Sequence, residues 1–111
     1  MSTGPSPATR DRVRLRAHGL CEVCGIKEGG QIHHRLPRRM GGTSNPEINS
    51  ACNLLLVCQP CHSWIEGNRQ WAYDHGLLVR GHLDPEVTPV RLRRGTVLLT
   101  RDGSYACEPK G

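Results

Sequence analysis

Cysteine and histidine carry most of the chemistry available to this chain. Cys21 and Cys24 form one Cys-x-x-Cys turn, and Cys58 and Cys61 form another. Two such turns can set four thiolates tetrahedrally around Zn²⁺, at Zn–S distances of about 2.3 Å. Disulfides or free thiols are the alternatives for paired cysteines. Four thiolates leave no position for water, so such a zinc braces a fold and does not catalyse. Cys52 and Cys107 have no partner at ligand spacing; Cys52 is expected to be buried and Cys107 to sit in a mobile tail.

A second constellation lies between and beside these turns: the doublet His33-His34, then Asn53, then His62 directly after Cys61. A neutral imidazole either ligates a divalent metal or accepts a proton near pH 7. Neighbours on a strand point to opposite faces, so His33 and His34 do not easily share one metal. They can divide the work, one on a metal and the other on a water. Glu66 follows His62 by four residues, one helical turn along the same face. It is read as a ligand, a contact to metal-bound water, or plain solvated surface.

Local signals indicate the elements that must position these groups. A helix is expected over 7–18, capped by Ser6, with Pro7 in its first turn and Gly19 at its end. Val13, Ala17 and Leu20 give it a narrow apolar stripe. Arg10, Arg12, Arg14 and Arg16 surround that stripe, either touching phosphates or solvating the outer face. Residues 31–35 read as a short strand with the histidine doublet, and 37–49 as a loop. The apolar run Asn-Leu-Leu-Leu-Val-Cys at 53–58 suits a buried strand. Short helices are expected over 61–66 and over 68–75, the latter capped by Asn68 and closed by Gly76. In the tail, 90–94 and 96–100 are expected to pair around Arg94-Gly95, with a further turn at Asp102-Gly103.

The fold class that follows is small α+β, with an N-terminal helix, a structural four-cysteine zinc site and a C-terminal β-hairpin. Residues 1–8 are expected to be disordered, 9–80 to form the functional domain around a core of 20–67, and 81–111 to form an extension with a hairpin and a mobile tail. Hydrophobic residues make up 36% of the 111 and phenylalanine is absent, so a metal staple has a physical purpose here.

The formal net charge is +5, and thirteen of the fifteen basic residues are arginine. Arginine suits bidentate phosphate contact, which favours a polyanionic partner over a charge that serves solubility alone. Arg35, Arg38 and Arg39 flank the histidine doublet and are candidates for phosphate contact or simple solvation. Trp64 and Trp71 are read as base-stacking groups or as core. No apolar run is long enough to span a membrane, and the first residues lack the apolar core of a signal peptide, so a cytoplasmic setting with reduced thiols is expected.

Taken together, Cys-Glu-Val-Cys at 21–24, Ile-His-His-Arg-Leu-Pro-Arg-Arg-Met-Gly-Gly at 32–42, Asn-Leu-Leu-Leu-Val-Cys-Gln-Pro-Cys-His at 53–62 and Ile65 resemble the HNH endonuclease family. The likeness is to its small phage and prophage members with paired Cys-x-x-Cys knuckles, and it covers about 20–67. It implies a ββα-metal motif that hydrolyses DNA phosphodiester bonds. It implies His33 and His62 as ligands of a divalent metal (Mg²⁺, Mn²⁺, Ni²⁺ or Zn²⁺) and His34 as general base. It also implies Asn53 as the residue that orients the base-bearing segment. Some relatives carry a histidine ligand where Glu66 stands. Double-stranded DNA is the implied substrate, and phage terminase and portal proteins are implied partners; the loop's shortage of aromatic residues adds the expectation of weak sequence preference. The competing readings are a non-catalytic zinc-stabilised module that binds DNA or a protein, and a thiol redox protein; the latter leaves the histidines unexplained.

Overall fold

The computed structural model describes residues 4–37 and 48–107. Helix α1 spans Pro7–Ala17, and Ser6 Oγ accepts a hydrogen bond from the Thr9 amide at its start. His18 ends it in the left-handed region at φ 55°, with Gly19 following at φ 75°. Pro7 and Ala8, which the sequence assigns both to this helix and to a disordered segment 1–8, form its first turn.

Strand β1 (Gln31–His34) pairs antiparallel with β2 (Leu54–Val57), with His33 opposite Leu55 and His34 opposite Leu54. Every residue of β2 is buried, as the unbroken apolar run requires. Leu54 and Leu56 face Val13 and Ala17 of α1. Leu55 and Val57 face a larger cluster with Cys21, Cys58, Ile65, Leu77 and Leu99. The alternation of β2 thus serves two cores at once, each large aliphatic side chain stabilising the fold by about 1.5–3 kcal/mol.

Helix α2 spans Gln59–Gly67, two residues longer at its start than its sequence suggests, because Cys58 serves as its N-terminal boundary and Pro60 suits its first turn. The order β1, β2, α2 is the expected ββα succession. Helix α3 spans Arg69–Asp74. Asn68 does not cap it; its side chain instead donates to the Trp64 carbonyl at 2.9 Å. Gly76 does close the segment, at φ 74°, where an added Cβ would lie 1.9 Å from the Pro89 carbonyl oxygen.

The tail forms three strands. β3 (Val90–Leu92), β4 (Gly95–Leu99) and β5 (Tyr105–Cys107) make one antiparallel sheet in that order. Leu92 pairs with Gly95, so the tight turn is Arg93-Arg94, one residue earlier than expected. Gly103, at φ 88°, lies in the second turn. Val90, Leu92 and Leu99 pack in the same cluster as Cys21, Cys58 and Ile65, and Cys107 lies on a strand rather than in a mobile tail. The three strands bury one apolar side against the rest of the molecule.

Arg16 departs from its expected place on the solvated face. Its Nε and Nη2 donate to the two carboxylate oxygens of Glu22 at 2.9 and 2.8 Å, and its Nη1 and Nη2 reach the Ala51 and Leu54 carbonyls. Glu22 also accepts from the Leu56 amide at 2.8 Å and from the Tyr105 hydroxyl at 2.5 Å. Burial, with Glu22 beside it, pushes Tyr105 up to about 12, so it stays a donor. This ion pair joins α1, the first cysteine turn, β2 and β5; Leu20, expected on the apolar stripe, is exposed instead. Among the described residues no helix is long and apolar enough to cross a membrane.

Candidate metal centres and active site

The four cysteines converge. The sulfurs of Cys21, Cys24, Cys58 and Cys61 all lie within 4.8 Å of one another, a set that could hold a zinc ion. Each pair is positioned locally. The Gly25 amide donates to the Cys21 carbonyl at 2.8 Å and the Cys24 amide to Cys21 Sγ at 3.5 Å, closing a tight knuckle that Gly25 leaves at φ 70°. Cys58 precedes α2 and Cys61 lies in its first turn. Burial opposes ionisation of Cys24, yet the Lys27 and Ile26 amides and the neighbouring thiols outweigh it and bring Cys24 down to about 6. Burial pushes Cys61 up. Thiols this close favour a shared cation, since only the thiolates are good ligands. Cys52 is fully buried in the same core as Cys21 and Cys58 but is not one of the four converging sulfurs.

A second donor set comprises His33, His62 and Glu66, again within 4.8 Å of one another. His33 is buried on β1, with its ring centroid 5.3 Å from that of His62 on α2. Its Nε2 lies 2.7 Å from the Leu77 carbonyl oxygen. A carbonyl can only accept, so Nε2 carries the proton and Nδ1 offers the lone pair. Burial, reinforced by nearby His62, brings His33 down to about 4 against the pull of the Leu77 carbonyl. His33 is therefore neutral at physiological pH, the form that ligates metals. His62 Nδ1 lies 2.6 Å from Gln31 Oε1. Glu66 is exposed, with one carboxylate oxygen 2.7 Å from Arg69 Nη1.

His34 points to the opposite face of β1, as strand alternation requires, and is half-buried. Its Nε2 lies 2.9 Å from Asn49 Oδ1. With the amide oxygen as acceptor, Nε2 holds the proton and Nδ1 is the basic nitrogen. Asn53 is fully buried. Its Oδ1 accepts from the Leu36 amide at 2.7 Å, and its Nδ2 donates to the carbonyls of Leu36 at 3.1 Å and Ile48 at 2.9 Å. It thus ties together the two ends of the segment that leaves β1 and returns before β2. Asn53 acts on the backbone that carries His34, while the contact to the ring comes from Asn49.

Arg35 corrects an expectation. Its side chain does not face a substrate: it is fully buried and spends its guanidinium on four backbone carbonyls, those of Gly76, Cys52, Pro85 and Thr88, at 2.7–3.0 Å. Burial brings it down to about 10, so it remains charged. Arg38 and Arg39 lie outside the described residues. Trp64 and Trp71 are exposed rather than core, in an edge-to-face pair with centroids 5.9 Å apart, and Trp71 stacks on His75 at 4.1 Å.

Residue typing alone passes over Gln31, Asn49 and the Leu77 carbonyl. Gln31 had one usable signal, since it sits two residues before His33 and shares its face of β1. Asn49 and Leu77 had none, because their contacts depend on distant chain segments.

Residues 21–66 match the family model described as HNH endonuclease. The matched segment runs from the first cysteine ligand to Glu66 and contains both donor sets. No curated protein and no solved structure matches the chain.

Proposed function

We propose that this protein is a metal-dependent endonuclease that hydrolyses DNA phosphodiester bonds, with His34 as general base. The observation that carries this reading is the convergence of His33, His62 and Glu66 into one donor set within the residues that match the endonuclease family model, with His34 the next residue along β1. His33, His62 and Glu66 would hold a divalent cation, which would supply charge stabilisation at the scissile phosphate; by resemblance Mg²⁺, Mn²⁺, Ni²⁺ or Zn²⁺ would serve. His34 Nδ1 takes the proton of the attacking water, and Asn49 holds the ring by its other nitrogen. Asn53 keeps the backbone of that segment in place.

Phosphate contact passes from Arg35 to Arg69, which touches the donor set, and to Arg80, which shares the Tyr73 ring with it. Arg69 bonds Glu66, and Arg80 lies 4.2 Å above the Tyr73 ring, which Arg69 also approaches at 5.9 Å. Arg38 and Arg39 join this role by sequence position. Binding of duplex DNA with weak sequence preference and steep salt dependence is expected. Assistance to phage terminase and portal proteins rests on the family resemblance, and co-purification with those proteins tests it.

A plasmid-nicking assay across divalent metals decides the main point. His34→Ala is expected to keep its fold and zinc and to lose cleavage by about 10²–10⁴-fold. Equal cleavage by wild type and variant removes His34 from the mechanism. Absence of cleavage by wild type with any metal, alongside retained DNA or protein binding, favours the non-catalytic zinc module.

A further inference from the structure

The two histidines of the second donor set are held by different partners, and the difference fixes which nitrogen each presents. For His33 the partner is a backbone carbonyl, which forces the proton onto Nε2. For His62 it is a side chain, Gln31, whose orientation is set by a chain of amides. Gln59 Nε2 donates to Ser63 Oγ at 2.9 Å. Gln59 Oε1 in turn accepts from Gln31 Nε2. Gln31 Oε1 then faces His62 Nδ1 at 2.6 Å. Each amide spends its NH₂ on the residue before it, so the last link is an oxygen. An oxygen without hydrogen demands a proton on His62 Nδ1 and leaves Nε2 as the donor atom.

We propose that Gln31, oriented by Gln59, is a positioning residue that sets the ring and the ligating nitrogen of His62. His33 then ligates through Nδ1 and His62 through Nε2. The inference rests on the metal-binding reading of this donor set. Its basis is geometric: Gln31 and His33 share one face of β1, and α2 brings His62 across to both. Groups that hold the far nitrogen of a ligating histidine typically change metal affinity by about 10–100-fold when removed.

The test uses full-length protein that retains its tightly held zinc but has been freed of weakly held ions by mild chelation. Long-range ¹H–¹⁵N spectra report the tautomer of His62, and calorimetric titration with Mn²⁺ or Co²⁺ reports affinity. Wild type is expected to show the Nδ1–H tautomer at His62 and the Nε2–H tautomer at His33. Gln31→Ala is expected to lose the His62 preference and to bind the added metal about 10–100-fold more weakly. Gln31→Glu, which keeps the acceptor, is expected to restore both readouts. Gln59→Ala is expected to fall between wild type and Gln31→Ala. An Nε2–H tautomer at His62 in wild type, or unchanged affinity in a folded Gln31→Ala, overturns the proposal. The tautomer is read without cleavage, so a protein that never cuts DNA but shows this pattern overturns the nuclease reading and leaves the role of Gln31 standing.

Discussion

The two donor clusters differ in how their ligands are held. The cysteines sit in two short turns whose geometry is local: a Cys-x-x-Cys knuckle at Gly25 and the first turn of α2. The second cluster draws His33 from β1 and His62 and Glu66 from α2, and its rings are aimed by a carbonyl at Leu77 and an amide at Gln31. Four thiolates close a coordination sphere, whereas two imidazoles and one exposed carboxylate leave positions for water and substrate. The first arrangement suits a brace and the second suits chemistry. The second also needs a scaffold of its own, because an exchangeable metal cannot supply one.

The largest expected effect falls on the brace. Cys58→Ala should release the zinc and cost most of the folded structure, since structural zinc in small modules binds with about 10–16 kcal/mol of apparent free energy. Metal analysis and far-ultraviolet circular dichroism check it; a folded, zinc-free variant would erase the contrast between the clusters. Removing the second metal by mild chelation should leave the same spectrum unchanged.

Arg35 supplies the scaffold on the histidine side. Its guanidinium joins four carbonyls from three segments, so Arg35→Met should destabilise the protein by about 3–5 kcal/mol through unsatisfied buried groups. Denaturant unfolding measures this. If Arg35 instead contacted phosphates, the salt slope of DNA binding would fall while stability held.

A smaller effect tests the buried histidine. His33 sits at about 4 in the folded protein because of burial, below the 6.5 usual for histidine. The unfolded chain takes up the proton first as pH falls. The stability associated with neutral His33 is therefore fully present above about 6.5 and declines toward 4. The decline is on the order of 3 kcal/mol, from about 1.36 kcal/mol per unit. Comparing unfolding free energies of wild type and His33→Asn across this window isolates the effect; parallel profiles would argue that His33 is not buried as a neutral ring.

The smallest effect should come from Glu66→Gln. Its ion pair with Arg69 is exposed and worth about 0–1 kcal/mol, so stability should barely move. Affinity for the second metal, read by calorimetry, should drop several-fold while zinc content stays constant. An unchanged affinity would reduce the open cluster to its two histidines.

Much of the fold was legible because its signals are short-range. Ser6, Pro7 and Gly19 bound α1 by rules that act within a turn, and the apolar run of β2 needs cover on both faces wherever it lies. The spacing of the cysteines indicated their cluster for the same reason. Arginine defied such reading. Arg10, Arg12 and Arg14 are exposed while Arg16 on the same helix is buried; its spacing from Val13 puts it on the inner face, but its charge marks it for solvent until folding brings Glu22 beside it. The tail divides in the same way: its paired strands are readable from local turns, but the packing of Val90, Leu92 and Leu99 beside Cys21 and Cys58 depends on surfaces made elsewhere.

By itself, then, the sequence determined the candidate donor residues, the cysteine turns and the order of the ββα elements, because these follow from bonds and contacts a few residues apart. Tertiary structure alone decided which cations face water and which ring nitrogens are held by hydrogen bonds. The groups that settle those questions stand far off in the chain: Gly76, Pro85 and Thr88 for Arg35, Leu77 for His33, and His62 for Gln31. A guanidinium or an imidazole has the same covalent structure in either role, and only the carbonyls and amides brought beside it by folding select one.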